Sequence, residues 1–192
     1  MSVPLKKEKG KYSYGDYRTW PDEEKWEIIK GSPYYMSPAP LRKHQEISGT
    51  LFAKIYNHLE NKTCKVYAAP FDVRFPAGEE KDEDIETVVQ PDITVVCDQN
   101  KLDDWGCKGT PDFIIEILSP ATAKRDLGEK FDLYEASGVK EYWVVFPLDK
   151  VIHVYLLNED GKYEKNISYY ENDKLVSTIL EGLEVDLKQV FA

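Results

Sequence analysis

Residues 90–96 read Gln-Pro-Asp-Ile-Thr-Val-Val and residues 111–118 read Pro-Asp-Phe-Ile-Ile-Glu-Ile-Leu. The second run is apolar at Phe113, Ile114, Ile115, Ile117 and Leu118, so both faces of a strand would be covered, which places it in the middle of a sheet. Glu116 interrupts it. An ionised carboxylate in that position costs several kcal/mol unless a cation or hydrogen-bond donors compensate it. Asp92 opens the Ile-Thr-Val-Val run and points to the same face as Thr94 and Val96. Two carboxylates on neighbouring strands can share a divalent cation, a hard ion that prefers oxygen ligands. A plainer reading stays open, in which Asp92 closes a turn after Pro91 and Glu116 forms an ion pair.

Outward from these runs the pattern extends in both directions. KVYAAPFDVRF (65–75), VVQPDITVV (88–96) and PDFIIEIL (111–118) are rich in β-branched and aromatic residues and read as three sequential strands. Before them, Ile47, Leu51, Ile55 and Leu59 recur every fourth residue, the buried stripe of a helix over 41–59. After them, Ser119-Pro120 ends the third strand. Leu127, Phe131 and Tyr134 then line one helix face, with Gly138 as its C-terminal cap. EYWVVF and VIHVYLL form a hairpin through Pro147-Leu148-Asp149-Lys150, followed by a strand near 162–170 and a short piece at 185–191. At the other end, residues 1–12 read as a flexible arm and 14–20 as a short helix. WEIIKGSPYYM reads as a hairpin closed by Pro38 and Pro40. A helix between the strands at 113–118 and 142–146 requires a crossover joining parallel strands, whereas the earlier strands are close enough to form a meander. The expectation is an α/β protein of the α+β mixed-sheet kind. It has an αβββαβ core, an N-terminal helix and hairpin extension and C-terminal strands, in one domain over 13–192.

The 192 residues suffice for one core, with 42% hydrophobic and 31% charged residues. Twenty-five basic against 35 acidic residues give a net charge of -10, which opposes general adsorption to nucleic acid or anionic lipid. A basic coat protein, a histone-like binder and a polybasic membrane anchor are excluded; an enzyme that engages phosphate at a local site is not. Residues 78–86, GEEKDEDIE, hold six acids and one lysine and read as a solvated loop. The N-terminus lacks an apolar signal segment and no run approaches the roughly 18 apolar residues of a membrane span, so the expected location is the cytoplasm, without membrane contact. Cys64, Cys97 and Cys107 are too scattered for a zinc motif and read as reduced thiols.

Lys124, Arg125 and Lys130 follow the Glu116 strand directly, and Lys130 flanks the apolar helix face. A lysine there can bury its stem and present its ammonium to the strand carboxylates, although a flanking lysine alone is usually a surface group. Several short segments now stand in order. They are WEIIKG (26–31), His44 followed by Ile47, Leu51 and Ile55, QPDITVV, and Glu116-Ile-Leu-Ser-Pro 24 residues after Asp92. Then come Asp126 to Lys130 to Tyr134, and GVKEYW (138–143). Together they resemble a restriction-endonuclease-like bacterial family within the PD-(D/E)XK nuclease superfamily. One departure is clear. The superfamily's usual lysine, two residues after the glutamate, is here Leu118, and Lys130 matches the branches that carry it on the following helix.

The resemblance implies a metal-dependent endonuclease hydrolysing phosphodiester bonds in DNA, with Mg²⁺ or Mn²⁺ held by Asp92, Glu116 and the main-chain carbonyl of Ile117. Lys130 would orient water or stabilise phosphoryl charge, with Glu27 and His44 as further candidates near the pocket. Arg42, Lys43, Lys124 and Arg125 are candidate phosphate contacts or simply a solvated face. Asp112 is a second "PD" aspartate, but about 13 Å from Glu116 along one strand, at roughly 3.3 Å per residue, it is too distant to share an ion. A homodimer suits duplex cleavage, which uses two sites. The alternatives are a catalytically inactive nuclease-fold binding module, which Leu118 and the acidic charge favour, and a metal-free acid/base hydrolase such as a glycosidase.

Overall fold

A proline has no N–H to give to a ladder, and Pro70 and Pro91 each divide what reads as one strand into two. The computed structural model describes residues 10–21, 24–36, 41–119, 123–164 and 167–192. Its first half contains α1 (Tyr14–Tyr17), β1 (Trp26–Ile29), β2 (Ser32–Tyr35), α2 (Arg42–His58), β3 (Lys65–Ala68), β4 (Val73–Arg74), β5 (Val88–Val89) and β6 (Ile93–Val96). There follow β7 (Leu102–Asp103), β8 (Gly106–Lys108), β9 (Phe113–Ile117), α3 (Ala123–Asp126), α4 (Glu129–Ser137), β10 (Glu141–Phe146) and β11 (Val151–Leu156). The chain closes with β12 (Ile167–Tyr170), β13 (Lys174–Val176), β14 (Glu184–Asp186) and α5 (Leu187–Val190).

Two six-stranded sheets result, ordered β12-β11-β10-β9-β6-β3 and β2-β1-β5-β4-β8-β7. The chain passes between them at each proline: β3 and β6 pair in the first sheet, β4 and β5 in the second. In the first sheet β9 and β10 are parallel, with α3 and α4 in the connection, and the other pairs are antiparallel. This matches the mixed sheet expected from the sequence. Alternation along β9 sends Phe113, Ile115 and Ile117 into a core with Ile47, Leu51 and Ile55 of α2 and Leu187 and Val190 around α5. Ile114 and Leu118 go the other way, to Leu133 and Tyr134 of α4 and to Val73 and Val89 of the second sheet. Glu116 has the parity of Ile114 and therefore lies on this second face.

Several expectations need correction. The β7–β8 hairpin within KLDDWGCK was missed because its strands are too short to show a period. Tyr12, placed in the arm by the sequence, is buried and donates its N–H to the Gly31 carbonyl at 2.9 Å. Leu127 is exposed rather than on the apolar face, because Leu127 and Gly128 separate α3 from α4. The acidic segment is solvated over most of its length, as expected, but it is pinned at several points: Ile85 is fully buried, Glu80 accepts from the N–H groups of Ala77 and Gly78, and Glu86 pairs with Lys11. Cys64 and Cys97 are not thiols but form a disulfide. The pairing of Lys65 with Val96 puts their flanking cysteines opposite each other, a relation that 33 residues of separation hide. Cys107 stays a thiol, and burial pushes its pKa up to about 12. The readings on Pro38, Pro40 and Pro120, and on the side chain of Lys124, lie outside the described residues. Among the described residues no helix is long and apolar enough to cross a membrane.

Arg74 anchors the second sheet. Its side chain is fully buried and bonds Asp82 and Asp103, each at 2.6 Å, with the Tyr14 ring 5.1 Å away. Partial burial works against the Asp103 carboxylate, but Arg74 and the Trp105 N–H hold its pKa below the usual range. Asp112 is depressed in the same way, burial being outweighed by Lys140 and the Cys97 N–H. Arg74→Met should lower stability by roughly 3 kcal/mol, at the low end for removing one partner of a buried pair because both aspartates can rehydrate. Chemical denaturation reads this directly. Depressed carboxyl pKa values mean that the unfolded chain binds more protons in acid. Stability present at neutral pH should therefore fall as pH drops below about 4, and less steeply in Arg74→Met.

Candidate active site

Glu116 is 4% exposed, and both donors that hold it use one oxygen. Lys130 Nζ donates to Oε1 at 2.8 Å and Tyr134 OH donates to the same atom at 2.7 Å. Lys130 and Tyr134 lie one turn apart on α4, whose end is fixed by Gly138 at φ 86, a left-handed cap that suits glycine. The Lys130 ammonium also lies 2.8 Å from Glu27 Oε1 and 3.8 Å from Asp126 Oδ1. Glu27 comes from β1, in the other sheet. The same oxygen accepts the Gln90 N–H at 2.9 Å, while Oε2 is 3.2 Å from Arg125. The Arg125 guanidinium rests over the Tyr34 ring at 5.5 Å.

Asp92 stands just before β6, and its Oδ2 accepts the Ile117 N–H at 2.7 Å. His44, near the start of α2, places Nε2 3.2 Å from the same oxygen. The five side chains singled out by the sequence thus form two linked groups. His44 and Asp92 meet the backbone of Ile117, and Glu116, the residue before it, leads to Lys130 and Glu27. The sequence did not assign roles to Tyr134, Asp126 or Gln90. The four-residue spacing of Asp126, Lys130 and Tyr134 was the signal for the first two; Gln90 left none, because it contributes a backbone group.

The electrostatics follow from burial. Burial alone would drive Lys130 toward the neutral amine, but Glu116, Glu27 and Asp126 outweigh it and raise its pKa above that of a free lysine. Burial raises the Glu116 pKa, and Asp126, Asp92 and Glu27 add to this against the pull of Lys130. Partial burial disfavours the His44 imidazolium, yet Asp92 and the Ile117 carbonyl more than offset it and raise the pKa. Four acidic side chains, Glu27, Asp92, Glu116 and Asp126, stand around Lys130, Arg125 and His44, and burial favours the neutral form of Glu116.

The oxygen donors of Asp92, Glu116 and the Ile117 carbonyl are of the kind a hard divalent cation prefers. Among the described residues no three His, Cys, Asp or Glu side chains form a ready-made cage. Two carboxylates and a backbone carbonyl would leave the remaining positions to water and phosphate, the usual arrangement for Mg²⁺. The phosphate-contact candidates fare less well. Arg42 pairs with Glu46, Lys43 donates to the carbonyls of Phe191 and Ala192, and Arg125 faces Glu27. Asp112 bonds Lys140 and the Cys97 N–H, a structural role.

Residues 14–188 match the family described as "Uma2: Putative restriction endonuclease". An uncharacterized Synechocystis protein, slr1290, is 27% identical over 168 residues, covering 86% of this chain and 84% of that protein. The fold resembles the crystal structure of a chain from Anabaena variabilis described as "a putative nuclease belonging to DUF820", with a TM-score of 0.73 and 17% identity. That match covers 93% of this chain and 97% of the other.

Lys130→Ala would leave three carboxylates around a buried space without their shared cation. A loss of about 3–5 kcal/mol in urea unfolding is expected. Tyr134→Phe removes one hydrogen bond to a charged group and should cost about 1.5–3 kcal/mol.

Proposed function

The chain belongs to the Uma2 family, and on that premise we propose that it is a metal-dependent endonuclease that hydrolyses phosphodiester bonds in DNA. The observation that carries the reading is the buried ammonium of Lys130, held 2.8 Å from Glu116 although the residue two positions after that glutamate is Leu118. A helix-borne lysine fills the role that the strand cannot.

Asp92, Glu116 and the Ile117 carbonyl would hold Mg²⁺ or Mn²⁺. Bound there, the ion supplies polarisation of the scissile phosphate and a water of lowered pKa for in-line attack. The protein's own groups do the rest. Lys130 and Tyr134 fix Glu116 through Oε1, so the carboxylate is oriented before substrate arrives. Lys130 would bond a phosphoryl oxygen or orient the attacking water. Glu27 keeps Lys130 charged, and Gln90 and Arg125 keep Glu27 in place. His44 supports Asp92 through Nε2, and Asp92 and the Ile117 carbonyl favour its protonated form. A homodimer would supply the two sites that duplex cleavage needs, and the expected setting is the cytoplasm.

A second reading keeps the fold without the chemistry, as a catalytically inactive binding or interaction module. The engagement of Lys130 by three carboxylates favours it, as does the net charge of -10. The two readings separate in a plasmid-nicking assay with Mg²⁺ or Mn²⁺. Asp92→Asn and Glu116→Gln should each reduce nicking by at least about a hundredfold, in line with the several kcal/mol a metal contributes to the transition state. Nicking that survives both substitutions would overturn the site assignment. Calorimetry with Mn²⁺ gives a readout free of substrate, and no binding heat in the wild type would favour the inactive module.

A further inference from the structure

Gln90 faces two ways. Its backbone N–H holds Glu27 in the candidate active site at 2.9 Å, while its side-chain amide donates to Asp72 Oδ1 at 2.8 Å and to Tyr17 OH at 3.1 Å. Asp72 and Tyr17 line a cleft of about 430 Å³, together with Trp20, Arg18 and Trp105. Trp105 is 56% exposed and lies in the turn between β7 and β8, with the Arg18 guanidinium 4.0 Å from its ring centroid. The turn is rigidly placed. Cys107 donates its N–H to the Asp72 carbonyl at 2.9 Å, and a Cβ on Gly106 would come within 2.2 Å of that oxygen, so only glycine fits.

We propose that this cleft receives an unpaired nucleobase of the DNA strand whose neighbouring phosphate lies in the candidate active site, an inference that rests on the nuclease reading above. Aromatic faces combined with a planar arginine are the chemistry that takes up bases without regard to sequence. The Asp72 carboxylate in the lining is held by Tyr17 and Gln90, and the Glu24 carboxylate by the Trp26 indole N–H. Gln90 ties the cleft to the candidate site, its side-chain amide bonding Asp72 and its backbone N–H bonding Glu27. A paired base cannot leave its stack without cost. The site therefore prefers single strands, mismatches or bulges over regular duplex.

The test uses fluorescence anisotropy of a labelled 12-nucleotide single strand of mixed sequence, and of its blunt duplex, with the full chain in EDTA. The single strand is expected to bind at least tenfold tighter. Trp105→Ala and Arg18→Ala, both surface changes that circular dichroism can verify as folded, should each weaken single-strand binding by about tenfold. Equal affinity for single strand and duplex, or variants that bind like the wild type, would overturn the cleft. The readout needs no cleavage, so the two ideas fail separately. Plasmid nicking with unaltered binding in both variants removes the cleft and keeps the nuclease. Selective loss of single-strand binding in the variants, with a wild type that does not nick, keeps base binding and removes the nuclease. If both hold, a duplex with a one-nucleotide bulge is cut faster than regular duplex, and Trp105→Ala abolishes that preference.

Discussion

One positive charge holds the two sheets and a helix to a common point. Lys130 reaches from α4 to Glu116 on β9 and to Glu27 on β1, and these strands belong to different sheets. A buried ion pair contributes little net stability once desolvation is counted, but it fixes geometry, because every displaced partner leaves a charge uncompensated. Around this ammonium the packing is consistent on both sides. The face of β9 away from Glu116 is apolar against α2 and α5, so strain cannot be relieved by turning the strand over.

The acidic composition acquires a different meaning once its members are located. Part of the excess sits in the segment 78–86, which meets α1 and Arg74 and lines a shallow pocket with Arg18 through Asp82 and Glu83. Asp82 serves the buried guanidinium, and the Ile85 carbonyl accepts the Tyr14 N–H. The charges that act most strongly on Glu116 are those of Lys130, Asp126, Asp92 and Glu27. An overall charge of -10 therefore says less about Glu116 than the groups that surround it directly.

The parts of the molecule legible in the sequence are those with a long period or a chemical contradiction. The stripe on α2, the doubly buried β9 and the glycine cap of α4 each follow from spacing. Glu116 stood out because an acid in an apolar strand demands a partner, and the four-residue spacing led to Lys130. What remained hidden depended on contacts distant in sequence. Two-residue strands such as β4, β5 and β7 carry no periodic signal, and the acidic segment looked free because its partner, Arg74, sits in another strand. The Cys64–Cys97 bond and the tie from Gln90 to Glu27 likewise arise only from strand register or from backbone groups that every residue type possesses.

The passage of the chain between sheets at Pro91 has a mechanical consequence. Gln90 is fastened to the second sheet through Glu27, and Asp92, two residues later, is fastened to the first through the Ile117 N–H. With a proline between them, this short span has little slack. Any sliding of one sheet over the other would pull directly on Glu27 and Asp92, so the carboxylate cluster ties the alignment of the two sheets to its own geometry.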